Sequence, residues 1–253
     1  MQIYLAVTPD MEQQAASCGC TLSHVAYRIG PDSTLLRQNL LLQTKGGLLS
    51  VSDRNTPPIT DTNVLCAAVL RECGRRSYEG VVLDFEEPPR QDRLKFAELL
   101  GQLLPKQQRT LYVPESYAQA APAAMVLVGT AVSGGTFRQH LEEAAAQYGR
   151  RLALDAERVR MDFRLPARTG TGTPLTGEDL AELMKHSGSP SFFSPDLCAR
   201  YFTYQRQGTT HFVLFDDANT LRRKIRLGAE LGASAAFFMW PEISDLADGL
   251  FPL

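Results

Sequence analysis

The chain has 253 residues, enough to bury one substantial core and the usual size of a single α/β barrel rather than two domains. Its formal net charge of -2, with acidic and basic residues interspersed, excludes the electrostatic footprint of a nucleic-acid or anionic-membrane binder. The first residue runs straight into Gln2-Ile3-Tyr4-Leu5-Ala6-Val7 with no basic region and no long apolar stretch, so neither a signal peptide nor a membrane span is read and a cytoplasmic location is expected.

In chain order, apolar strand-like runs fall near 2 to 7, 24 to 29, 47 to 52, 80 to 86, 110 to 114, 124 to 130, 158 to 163 and 235 to 240, with helical segments between them. This alternation is the signature of a parallel α/β fold, and eight strands predict a closed (β/α)8 TIM barrel over residues 1–253. The helix between the third and fourth strands is expected to open at Asp61 or Thr62, to carry Val64, Leu65, Ala68 and Val69 on its apolar side, and to stop at Gly74. Further helices are expected near 91 to 104, 136 to 148, 176 to 186 and 219 to 231. Thr176 followed by Asp179 has the pattern of a capping box, and Gly149, Gly188 and Gly232 stand where helix C-termini want a left-handed residue.

The least regular region is 164 to 218, too long for an ordinary strand-to-helix loop. It opens with Thr169-Gly170-Thr171-Gly172-Thr173-Pro174, and Gln207-Gly208 sits between two β-rich runs as a hairpin turn. A small insertion over the barrel mouth, before the last strand, is predicted. No repeat at a solenoid period and no low-complexity tract interrupts the pattern.

The five cysteines, Cys18, Cys20, Cys66, Cys73 and Cys198, are odd in number and lack the paired CxxC spacing of zinc sites, so reduced thiols are expected. The four histidines are scattered, with no HxxH or HExxH spacing, and no metal or cofactor is expected. Nor is there a GxGxxG or P-loop after a strand, or a GxSxG elbow, which removes the common nucleotide and serine-hydrolase readings.

The chemistry concentrates in Tyr78-Glu79-Gly80-Val81-Val82-Leu83-Asp84-Phe85-Glu86-Glu87. Side chains alternate along a strand, so Gly80, Val82, Asp84 and Glu86 share one face. Pro88-Pro89 cannot continue a central strand, which puts Asp84 and Glu86 at the strand's exit, the catalytic end of a barrel. Acids at i and i+2 stand ~6 to 7 Å apart at their Cα atoms, close enough for each to perturb the other's ionisation. A neutral acid beside an ionised one is what glycoside hydrolysis needs. The bland alternative is a solvated strand end, or a cap for the next helix from Glu87 or Asp92. Other polar residues that could line the mouth are Tyr27, Asp53, Glu115, Tyr117, Asp162, Arg164 and Glu242. Asp162 with Arg164 could equally be a simple ion pair.

The run from Tyr78 to Glu86 resembles the DGxDxDxE strand of the family 18 glycoside hydrolases, the chitinase-like barrels, and most of all the variant in spore-cortex-lytic glucosaminidases. A second block, Tyr201-Phe202-Thr203-Tyr204, then His211 to Asp217, Leu221, Lys224 and the final strand ending at Trp240, is similar to the C-terminal third of those enzymes. The resemblance implies a retaining mechanism in which the substrate's own acetamido group attacks the anomeric carbon. In it Glu86 is the general acid and then base, Asp84 orients the acetamido group, and Trp240 forms the floor under the sugar. The motif departs from the family pattern at Glu79 and Val82, which stand for its first two aspartates. On the sixth strand Gly129-Thr130-Ala131-Val132 replaces Met-x-Tyr-Asp.

The function expected is hydrolysis of β-linked N-acetylglucosamine-containing glycans, peptidoglycan or chitin-type oligosaccharides, with a carbohydrate as partner and no nucleic acid or membrane. Tyr27, Glu115, Tyr117, Asp162 and Trp240 are the expected substrate contacts. One alternative is a catalytically weak or inactive barrel that binds glycan or a protein partner. Another is a hydrolase of different specificity in which a carboxylate such as Glu115 takes the second catalytic role.

Overall fold

The computed structural model describes residues 1–38, 45–167 and 171–251. Eight parallel strands close on themselves: β1 (Gln2–Val7), β2 (Thr21–Ile29), β4 (Leu48–Ser52), β5 (Gly80–Asp84), β6 (Thr110–Pro114), β7 (Met125–Gly129), β8 (Leu152–Asp155) and β14 (Ala235–Met239). Closure comes from β1, which pairs with β14 on one side and β2 on the other, in registers such as Leu5 opposite Phe238 and Leu5 opposite Leu22. The short β3 (Leu35–Arg37) folds back on β2 as an antiparallel flap. Helices α1 (Glu12–Ala16), α2 (Thr62–Arg76), α3 (Gln91–Leu103), α4 (Phe137–Tyr148) and α6 (Ala218–Glu230) lie between strands. The predicted TIM barrel is the observed architecture.

Seven of the eight expected strands are barrel strands; the seventh is not. The segment read near 158 to 163 forms β9 (Arg160–Arg164), which pairs antiparallel with β13 (Thr209–Phe215) in a separate sheet. The barrel's seventh strand is instead β8, only four residues long. It follows a single turn, Gly149–Arg151, after the alanine-rich α4, so its Leu-Ala-Leu run reads as more helix.

The second sheet has the order β10-β9-β13-β12-β11, with β10 (Thr173–Pro174), β11 (Phe192–Ser194) and β12 (Ala199–Arg206), and it carries α5 (Gly177–Ser187). This is the expected insertion before the last strand. Thr169 and Gly170, part of its predicted opening, lie outside the described residues. Gln207 and Gly208 have φ of 52° and 73°, the doubly left-handed turn that the β12–β13 hairpin requires. Thr176 and Asp179 make both bonds of the capping box that starts α5, and Gly149, Gly188 and Gly232 all have positive φ.

Helix α2 starts as expected, with the Asp61 carboxylate accepting the N–H groups of Asn63 and Val64. Its buried stripe is Leu65, Cys66, Val69 and Cys73, whereas Val64 is exposed. It runs past Gly74 to a left-handed Ser77 at φ 59°, because the Tyr78 N–H can then close on the Cys73 carbonyl at 2.9 Å. All five cysteines are free thiols.

The barrel interior is filled, not hollow. Tyr4 stacks on Phe237 with centroids 4.8 Å apart and meets Tyr112 edge-on, and Leu48, Val82, Ala153 and Ala235 complete this layer. Ser23 and Ser50 satisfy each other there at 2.7 Å. Gly80 fits because β5 and β6 approach closely: a Cβ would lie 2.4 Å from the Thr110 carbonyl oxygen and 3.0 Å from Leu48 Cδ2. Gly80→Ala is therefore expected to lose about 1 to 3 kcal/mol of unfolding free energy, read by denaturant titration, because the obstacle is backbone rather than a side-chain tip.

Candidate active site

Above that packed layer, at the C-terminal ends of the strands, opens a cavity of about 430 Å³ whose wall includes Ser50, Asp84, Glu86, Asp155, Glu157 and Met239. Asp84 is the last residue of β5, and its alternation is as expected: Val82 and Asp84 face inward while Val81, Leu83 and Phe85 pack outward against the helices. Glu86 stands on the loop just beyond, its side chain 62% exposed and its carboxylate 4.0 Å from Arg54 Nε.

The loop is held by its neighbour. Asp53, directly after β4, is buried and accepts the Glu86 N–H at 3.0 Å, and Glu87 accepts the Asn55 N–H at 3.2 Å. Asp92 accepts the Ile59 N–H at 2.8 Å and pairs with Arg93, which also donates to Thr56 and to the Pro57 carbonyl. Glu87 and Asp92 thus bind the two loops together rather than capping the helix. The result is a fixed path for the backbone that carries Glu86.

The electrostatics follow from this crowding. Burial, and then the negative charges of Glu86 and Asp53, push Asp84 up to about 6, with Arg54 opposing. Burial also raises Asp53, against the two backbone N–H bonds that favour its charge. Asp155, at the end of β8, is reached by solvent through the mouth yet enclosed by protein on its other sides. That enclosure, with the charges of Glu157 and Asp84, pushes it up to about 7.

A group whose pKa rises on folding contributes stability below its unfolded value, and that contribution is lost as pH climbs through the folded value. Asp84 therefore stabilises less at neutral pH than near pH 4. Asp84→Asn is expected to leave Tm nearly unchanged at pH 4 and to stabilise by about 1 to 2 kcal/mol at pH 8, after allowing for solvent screening at the open mouth. Thermal unfolding of both proteins across that range checks it.

The other expected contacts fall elsewhere. Tyr27 points outward into the core under α2, its hydroxyl donating to Glu72 at 2.9 Å and lying 3.0 Å from the Tyr78 hydroxyl. A register shift between Val25 and Tyr27 is the reason: Ser23 and Val25 line the mouth, and the irregularity turns the next residue of that face away. Tyr117 is fully buried behind the strands, edge-on to Phe85 at 5.4 Å. Glu115 is exposed and accepts the Tyr148 hydroxyl at 3.1 Å outside the cavity wall, which Pro114 forms. Asp162 belongs to the second sheet, where it pairs with His211 Nδ1 at 3.0 Å and accepts from Tyr204 at 2.7 Å rather than meeting Arg164.

Trp240 is the largest displacement. It is 2% exposed and packs outside the barrel with Leu5, Val7 and Phe238, its Nε1–H reaching Gln14 Oε1 at 3.4 Å. Alternation along β14 puts Phe238 and Trp240 outward, and Met239 takes the position on the mouth. Glu242 pairs with Arg160 of the second sheet. Ala131 and Val132 line a second cavity, of about 670 Å³, that continues from Glu157 toward Thr176 of the insertion. Asp155 and Glu157 are the residues that sequence reading missed; an acid ending an apolar run, as in Val-Leu-Asp of β5, was the available signal. Among the described residues no cluster of His, Cys, Asp and Glu is arranged to hold a metal ion, and no helix is long and apolar enough to cross a membrane.

This mouth sits on the fold of the chitinase-like family 18 glycoside hydrolase barrels. No protein-family model matches the sequence, and no curated protein matches it either. Solved structures do match. The spore cortex-lytic enzyme SleL of Bacillus cereus aligns with a TM-score of 0.71 at 17% identity, over 99% of this chain and 74% of that one. A chitinase of Chromobacterium violaceum gives 0.71 at 14% identity, over 98% and 97%. A doubly substituted GH18 chitinase of Cycas revoluta, in complex with (GlcNAc)4, gives 0.70 at 12% identity, over 99% and 97%. At such identities the likeness establishes the fold.

Proposed function

We propose that this barrel hydrolyses glycans containing β-linked N-acetylglucosamine, of the peptidoglycan or chitin type, with Glu86 as general acid and then base. The observation that carries this is the arrangement of Asp84 and Glu86 on one strand exit inside the mouth, one carboxylate enclosed with its pKa pushed up to about 6, the other open to an incoming leaving group. The structural neighbours support the substrate class, since they include enzymes named cortex-lytic and a chitinase holding (GlcNAc)4.

In the reaction, Glu86 gives its proton to the glycosidic oxygen as the acetamido oxygen of the same sugar attacks the anomeric carbon. The bond to the leaving sugar breaks and a cyclic oxazolinium forms. Ionised Asp84 accepts a hydrogen bond from the acetamido N–H, which draws electron density toward the attacking oxygen. Glu86, now a carboxylate, takes a proton from the water that reopens the ring, restoring the starting configuration. Release of a fluorescent leaving group from GlcNAc oligomers by the wild type and by Glu86→Gln tests this reading.

A second reading has its own observation. Inward of Asp84 on the same strand face stands Val82, which offers no hydrogen bond, and Ala131 and Val132 bring no polar group to the adjoining cavity. A barrel that binds the glycan without cleaving it would show saturable binding and no turnover from either protein.

A further inference from the structure

Among the described residues, no protein hydrogen bond reaches the Asp84 carboxylate, and the hydroxyls in the layer beneath it are paired with one another, Ser23 with Ser50 and Tyr112 with Tyr4. The chain supplies polar groups from another direction. Asp155 ends β8 and lines the same cavity. Its main chain is fixed: the Asp155 carbonyl accepts the N–H groups of Thr130 at 3.0 Å and Glu157 at 2.9 Å, and the Ala156 N–H donates to Phe237 at 2.8 Å.

Glu157 then folds over the end of β7. A Cβ on Gly129 would lie 2.7 Å from Glu157 Oε2, so a side chain at that strand end would expel the carboxylate. Glu157, two residues beyond the seventh strand, thus fills space that Gly129 at the end of the sixth leaves open.

The charged groups acting on Asp155 are Glu157 from its own turn and Asp84 from the end of β5, with Glu86 of the following loop on the same cavity wall, while Asp53 and Arg54, after β4, act on Asp84. Pro114, Leu127, Phe237 and Met239 make the remaining wall apolar. Burial and the neighbouring negative charges push Asp84 up to about 6 and Asp155, on which the Asp84 charge acts directly, up to about 7. Between those values one of the two is an acceptor and the other still carries a hydroxyl donor. A secondary amide presents the complementary set, one N–H and one carbonyl oxygen.

We propose that Asp155 holds the acetamido group of the substrate: its carboxylic O–H donates to the acetamido carbonyl oxygen while ionised Asp84 accepts from the N–H, so that the mouth selects sugars bearing a secondary amide. This rests on the glycan reading above and adds the residue that sets its specificity.

The test has two arms. In the free protein, carboxyl ¹³C NMR titration is expected to place Asp155 near neutrality and to move it down in Asp84→Asn; titration in the ordinary carboxylate range overturns the proposal. In the Glu86→Gln background, calorimetry with (GlcNAc)4 is expected to show affinity falling about tenfold from pH 6 to pH 8.5, and no comparable binding of the deacetylated tetramer. Asp155→Asn, which carries a permanent N–H donor of the same size, is expected to bind equally at both pH values, and Asp155→Ala about tenfold more weakly at pH 6. An Asp155→Asn protein that keeps the parent's pH dependence, while the parent binds the acetylated sugar, overturns the role of Asp155 alone. A parent that binds no acetamido sugar at any pH, with Asp155 still titrating near neutrality, overturns the glycan reading and the ligand assigned here with it.

Discussion

Glu86→Gln is expected to lower kcat on GlcNAc oligomers by at least 10³-fold while leaving unfolding and sugar affinity close to those of the wild type. Glutamine keeps the shape of the side chain and loses only the transferable proton. The side chain is mostly exposed, and its one ion-pair partner among the described residues, Arg54, is 4.0 Å away, so little folding energy depends on it. The loop position does not depend on it either, because Asp53 holds the Glu86 main-chain N–H and not its carboxylate. A loss of kcat without a change in Tm therefore isolates proton transfer. A rate within a few-fold of wild type would remove Glu86 from the chemistry. A parallel loss of stability would mean that the substitution acts through the fold.

The second large effect concerns the joint between barrel and insertion. Asp216 and Lys224 are buried, and Lys224 Nζ donates to Asp216 Oδ2 at 2.7 Å. The same carboxylate accepts the Val159 N–H at 2.9 Å and the Thr220 hydroxyl at 2.8 Å, and the ammonium lies 5.6 Å from the Phe137 ring centroid. Asp216 thus joins the entry to the insertion, its exit and helix α6 through one carboxylate. Asp216→Ala strands an ammonium and a main-chain N–H in an apolar setting and is expected to cost about 3 to 5 kcal/mol. For a chain of this size that is a Tm drop on the order of 10 °C. Replacing both partners by apolar residues, Asp216→Leu with Lys224→Met, is expected to recover most of the loss, because the penalty comes from the unpaired charge. Differential scanning calorimetry of the three variants separates these outcomes.

How far the sequence carried the reading is clearest at particular residues. The strand from Gly80 to Asp84 was legible because apolar alternation, two acids and a proline pair leave few other structures for that stretch. The capping box at Thr176 and the turn at Gln207-Gly208 were legible because their chemistry is local: three or four residues fix the outcome. What failed was non-local. Strand β8 is four residues long and buried in the barrel wall, so it carries no alternation to separate it from the helix before it. Arg160–Arg164 has better strand character, but which sheet it joins depends on β13, dozens of residues later.

Misplacing that one strand hid Asp155, and with it the acid that faces Asp84. Tyr27 and Trp240 went astray for a related reason. Facing is a parity, so a single irregularity in β2, or counting one residue too far along β14, exchanges mouth for core. Glu115 and Tyr117 were correctly placed after a strand, yet the turn beyond β6 directs one to solvent and the other behind the barrel. The resemblance gave the fold, which the structure bears out, and singled out the two acids on which the proposed function rests; the wall around them is this chain's own.

The most direct measurement is ¹H NMR of the first product released from short β-linked GlcNAc oligomers by the wild-type protein, with Glu86→Gln as the control. Substrate-assisted retention gives the β-anomer as the initial product, before mutarotation, and no product from the variant. An initial α-anomer would contradict the substrate-assisted route, and an absence of cleavage by the wild type with the sugar bound would make the mouth a binding site that has lost its chemistry.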